Sequence, residues 1–226
     1  MKTNIEGLDI DIFTPQVKDK TMPFIVLNSD RDESGSVYSS VKEITKKDFV
    51  LIGINVPNWN DDLSPWPCDP VFKGTEGFQG KADAYLEKIE KILSVCTEKM
   101  KEIPLYPEYM AIAGYSLAGL FALYSAYRTD IFQRVVSCSG SMWYPSFLEY
   151  TKENRINENV QKIYLSLGDR ESHTKNILMS SVEEKTEAIA NDLSGITDVC
   201  YELNEGNHFK DPDLRTAKGI AHILNT

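Results

Sequence analysis

Histidine is scarce in this 226-residue chain, which has only His173, His208 and His222. Any chemistry that needs an imidazole must use one of those three. Long apolar runs are missing as well: none approaches the roughly 18 residues of a membrane helix. The opening MKTNIEGLDIDIF interrupts every apolar stretch with charge, so it lacks the run of about 7–15 residues that a secretory signal requires. Cysteine is limited to Cys68, Cys96, Cys138 and Cys200, with no C-x-x-C spacing. That excludes zinc-ribbon and thioredoxin-type arrangements and leads us to expect reduced thiols of a cytoplasmic protein. Positive charge is in deficit, since 24 Lys and Arg against 34 Asp and Glu leave a net charge of -10. Such a surface repels phosphate backbones, so neither a nucleic-acid nor a membrane partner is expected. No cluster with metal-ligand spacing and no phosphate-cradling loop occurs, so no metal or cofactor is expected either.

What is present suits one core. At 42% hydrophobic residues the length is enough for a single domain spanning 1–226. Short apolar runs at Phe24–Asn28, Phe49–Asn55, Met110–Gly114, Arg134–Ser139, Lys162–Leu167 and Val199–Leu203 read as strands covered on both faces. Ile5–Phe13 reads as an edge hairpin strand. Helical periodicity marks Lys81–Met100, Glu183–Leu193 and Leu214–Leu224, and more weakly Ser36–Thr45. The alternation predicts an α/β fold: a mostly parallel sheet with right-handed crossovers, helices on both faces and no lid domain. Two irregular stretches, Pro57–Gly80 and Ser139–Ser146, interrupt it where loops tend to carry function.

The most informative segment is MAIAGYSLAGLFALYSAY, residues 110–127. A short strand runs into Gly114-Tyr115-Ser116-Leu117-Ala118, and a strongly apolar helix follows at once. This is the G-x-S-x-G nucleophile elbow pattern with alanine in the last place. A sharp turn there needs small residues at 114 and 118. It lifts the serine hydroxyl above the sheet edge and aims the Leu117 N–H at a developing oxyanion. A serine needs an imidazole to take its proton, and in this fold the chain order is serine, acid, histidine. His208 follows the last strand candidate, where the base belongs. His222 falls within a helix and His173 precedes that strand. For the acid, Asp169 and Glu171 both lie past a strand end, and spacing does not separate them.

With these residues in hand, the chain resembles the "Putative esterase" family of α/β-hydrolases, which includes esterase D, feruloyl esterases and siderophore esterases. GYSLAGLFALYSAY is similar to the family's G-x-S-x-G-G-L-F-A-L-Y stretch. RVVSCSGSMWY, WNDDLSPWP, LSLGDRE and EGNHF resemble its other characteristic segments. The resemblance implies Ser116, Glu171 and His208 as the triad, carrying the acid role to Glu171 rather than Asp169. It also implies a second oxyanion donor at the backbone of Ser29 or Asp30. Trp143, Tyr115 and Trp66 fall in loops at the expected ligand edge and are the substrate-lining candidates; Trp59 and Tyr144 share that placement. The expected reaction is hydrolysis of a short-chain, aryl or sugar-linked ester through an acyl-enzyme. Acyl transfer on the same triad and a non-catalytic binding role are the alternatives. Monomer and homodimer are equally compatible with the sequence.

Overall fold

The computed structural model describes every residue except 18–19, 31–32 and 72–73. It opens with a hairpin, β1 (Lys2–Ile5) and β2 (Leu8–Phe13). Glu6 and Gly7 make its turn with positive φ at both positions, which suits the right-handed twist of the two strands. The expected single edge strand over 5–13 is therefore split in two. β3 (Lys20–Ser29), α1 (Glu33–Ile44) and β4 (Val50–Asn55) follow. The loop over 57–80 carries α2 (Trp59–Asp62) and a small ladder of β5 (Pro67–Cys68) and β6 (Phe78–Gln79).

Next come α3 (Ala82–Lys101), β7 (Leu105–Tyr115), α4 (Leu117–Arg128) and β8 (Arg134–Cys138). The chain ends with α5 (Phe147–Glu153), β9 (Lys162–Gly168), α6 (Ile177–Ser180), α7 (Val182–Ser194), β10 (Asp198–Asn204) and α8 (Pro212–Asn225). Eight strands form one sheet in the order β1-β2-β4-β3-β7-β8-β9-β10. It is parallel from β4 to β10, and β2 joins β4 antiparallel.

The apolar runs are continuous because both faces are covered. Along β3, Phe24 and Val26 face one core cluster with α3, α4 and α7, while Ile25 and Leu27 face another with α1 and α8. Strands extend beyond the apolar runs where their ends pair without being buried on both faces. β7 begins at Leu105 rather than Met110, because Leu105 and Tyr106 pair with Lys20 and Thr21 of β3. Among the described residues no helix is long and apolar enough to cross a membrane.

The strand order sets the position of the site. From β3 the chain moves to one side to make β4, then returns across to the other side to make β7. The crossovers leave in opposite directions there, which opens a crevice at the strand C-termini. The C-terminal ends of β3 and β7 carry Ser29 and Tyr115.

Candidate active site

Ser116 sits between the last residue of β7 and the first of α4, with φ 58° and ψ −123°. An L-residue in that region costs about 1–3 kcal/mol and persists only where its surroundings enforce it. Three backbone hydrogen bonds do so: Ser116 N–H donates to Cys138 O at 3.0 Å, and Ser116 O accepts from Leu120 and Ser141. Gly114 has no room for a side chain, since a Cβ would lie closer than 3.0 Å to the Ala118 backbone. The small residues of the motif therefore let strand and helix meet.

His208 lies in the loop after β10 and brings Nε2 to 3.0 Å from Ser116 Oγ, while its Nδ1 is 2.7 Å from Glu171 Oε2. An ionised carboxylate only accepts hydrogen bonds, so Nδ1 donates to Glu171 and Nε2 is left to accept the serine proton. Glu171 is buried, its side chain 3% exposed. Its Oε1 accepts from Ser139 Oγ and Gly168 N–H at 2.7 Å each, and from Arg215 Nη1 at 3.0 Å. Burial by itself pushes the carboxyl up. Hydrogen bonding to His208, the charge of His208, and donation from Ser139 and Gly168 outweigh it and hold the group below its ordinary value.

Asp169 is elsewhere. Its Oδ1 accepts from Gly206 N–H at 2.7 Å, and its own N–H donates to Asn204 O. It ties the loop after β9 to the loop that carries His208. His173 is exposed in the first of these loops, and His222 on α8 packs against the Tyr164 ring. Of the three histidines, His208 alone meets Ser116 and an acid.

Arg215, on the first turn and a half of α8, was not anticipated. It is 2% exposed, and its Nη1 lies 3.0 Å from Glu171 Oε1 and 3.2 Å from both Ser139 Oγ and Tyr115 Oη. Nη2 donates to Glu205 O at 3.0 Å. The neighbouring Leu214 is 42% exposed, so hydropathy alone orders these two residues backwards. A charged residue on the apolar stripe of α8 was the readable signal, because a buried arginine demands a counter-ion.

A cavity of about 290 Å³ opens beside Ser116 and His208. Asn28, Ser29 and Asp30 line it at the end of β3, with Tyr115, Trp59 and Phe209 supplying rings. Ser29, Asp30 and Tyr115 thus border this cavity, and Leu117 opens α4 directly beside Ser116. Trp66 and Trp143 are not in the lining, which corrects that expectation. Trp66 donates Nε1–H to Pro145 O and packs among Tyr124, Tyr144, Phe147 and Tyr150, while Trp143 is 8% exposed against Phe78 and Tyr144. These rings hold the two long loops onto the core. Among the described residues no three His, Cys, Asp or Glu side chains are grouped to hold a metal ion.

The fold has counterparts among solved structures. The fold is similar to an IroE-like serine hydrolase from Shewanella oneidensis, with TM-score 0.79 and 17% identity over all of this chain and 80% of that one. It is similar too to the siderophore hydrolase EstA from Aspergillus nidulans, with TM-score 0.74 and 18% identity over all of this chain and 93% of that one. In sequence it is 25% identical over 164 residues to the uncharacterized protein YbbA of Bacillus subtilis, covering 70% of this chain and 66% of that protein, just under two thirds of its length. A model of the family described as "Putative esterase" matches residues 29–208, a span running from the cavity end of β3 to His208, and the chain belongs to that family of α/β-hydrolase fold.

Proposed function

We propose that this chain is a serine hydrolase of carboxylic esters, with Ser116 as nucleophile, His208 as base and Glu171 as the acid that orients it. The continuous contact from Ser116 Oγ through His208 to Glu171, at 3.0 and 2.7 Å, carries the reading. Ser116 attacks the ester carbonyl as Nε2 takes its proton. Glu171 steadies the imidazolium that forms. His208 then returns the proton to the leaving alcohol, an acyl-serine remains, and a water activated by the same imidazole releases the acid. The developing oxyanion falls to the Leu117 N–H at the start of α4, with the backbone N–H of Ser29 or Asp30 as second donor.

The small cavity supports a short-chain or aryl acyl group, and Trp59, Tyr115 and Phe209 favour a flat ring. A siderophore, the substrate named for the Aspergillus nidulans relative, is a candidate to test as the ester. Cytoplasmic residence, with no nucleic-acid or membrane partner, completes the proposal. It is consistent with four unpaired cysteines and the acidic surface.

Labelling with a fluorophosphonate probe tests the chemistry. The folded protein should be modified on Ser116, and Ser116→Ala should lose both labelling and the hydrolysis of aryl acetates. An unmodified Ser116 in folded protein would sink the reading.

A further inference from the structure

Arg215 has one guanidinium in contact with every loop that carries a triad residue. Through Nη1 it reaches the acid itself at Glu171 Oε1, and Ser139 Oγ, whose hydroxyl also donates to that oxygen. Through Tyr115 Oη it reaches the residue before the nucleophile, and that phenol donates to His208 O at 2.7 Å. Through Nη2 it holds Glu205 O in the base loop. Both partners of the Arg215–Glu171 pair have side chains 3% exposed. So much burial is costly unless the geometry is good and the remaining donors are satisfied.

We propose that Arg215 is the positioning residue of this site. Its charge keeps Glu171 ionised between turnovers, and its fork sets the acid and base loops against the elbow. The inference rests on the serine hydrolase reading for its kinetic consequences. Its structural content, the alignment of Glu171 with His208, stands on the contacts alone. A guanidinium is suited to this because it stays charged at all working pH and offers rigid planar donors, whereas an ammonium keeps the charge but loses the fork. The groups facing Glu171 are His208 from the base loop, Tyr115 from β7, Cys138 from β8, Tyr201 from β10 and Arg215 from α8. Arg215 is the one among them with a permanent positive charge. Once it is gone, the buried carboxylate keeps the hydrogen bonds from Ser139, Gly168 and His208, and faces a positive charge only while His208 is protonated.

Two substitutions separate the charge from the fork. Arg215→Met should move the acid limb of the pH–rate profile up by about one pH unit and lower kcat by roughly 100-fold. Arg215→Lys should leave the acid limb in place and still lower kcat by about tenfold. The His208 Nδ1–H proton, read by NMR in the downfield region, reports the bond to Glu171 without turnover. It should be present in the unaltered protein, shifted in Arg215→Lys and lost to exchange in Arg215→Met. A folded Arg215→Met with an unmoved acid limb and an unchanged proton signal overturns the proposal. If Arg215→Met does not fold, Arg215→Lys decides, and unaltered kcat together with an unaltered signal overturns it. Should the unaltered protein fail to react with fluorophosphonate, the hydrolase reading falls, while the NMR comparison still judges Arg215.

Discussion

Ser116 and Glu171 make opposite demands on the chain. Ser116 must be held in a strained backbone so that its hydroxyl stands clear, and Glu171 must be buried without losing its charge. The strain is met by backbone hydrogen bonds to Cys138 and from Ser141, and the burial by four donors around one carboxylate. Asp169, two residues away, has a different task, since it receives Gly206 N–H and pins one loop to the other. The two carboxylates should therefore respond differently to amidation. Glu171→Gln leaves one acceptor oxygen where two are used and frees the imidazole to adopt the wrong tautomer, so kcat should fall by roughly 10³–10⁴. Asp169→Asn keeps an oxygen for Gly206, and its loss should stay below about tenfold. Steady-state kinetics on an aryl acetate checks the order, and the reverse order would move the acid role to Asp169.

At the scale of elements, the loops that carry Glu171 and His208 meet at Gly168. A side chain there would lie closer than 3.0 Å to Gly206 O, Arg215 Nη1 and Glu171 Oε1. Gly168→Ala should therefore force the loop after β9 away from the loop after β10 while the sheet stays intact. We expect a loss of roughly 10–100-fold in kcat from the displaced triad, with an unchanged circular dichroism spectrum. Wild-type kcat in this variant would mean that the loops are more compliant than their packing implies. Strands and long helices were legible in the sequence because burial on both faces writes continuous apolar runs and burial on one face writes helical periodicity. The short α2, α5 and α6 and the β5–β6 ladder were not, since each is too brief to write a period; α5 and the ladder are held by ring packing around Trp66, Tyr144 and Trp143. The same packing explains why two of the three substrate-lining candidates turned inward.

Across the whole molecule, the buried carboxylate couples the site to stability in acid. The Glu171 pKa is held below its ordinary value of 4.5 in the folded state. Its contribution is therefore fully present above that value and is lost as pH falls through the lowered folded one. Glu171→Gln removes a group that the unfolded chain protonates more readily than the native one. The melting-temperature gap between the two proteins should narrow as pH falls below 4.5. A gap that does not change on acidification would show that Glu171 titrates alike in both states.

The sequence by itself determined the alternation of strands and helices, the elbow that exposes Ser116 and the placing of His208 beyond the last strand, because these are local consequences of periodicity, small residues and chain order. Only the tertiary structure decided between side chains that share one loop or one turn. Asp169 and Glu171 differ in which partner they can reach, and Leu214 and Arg215 differ in whether a counter-ion waits on the other side. Those partners lie 37 to 44 residues away along the chain. A buried charge is stable only where distant segments converge on it, and no local pattern records that convergence.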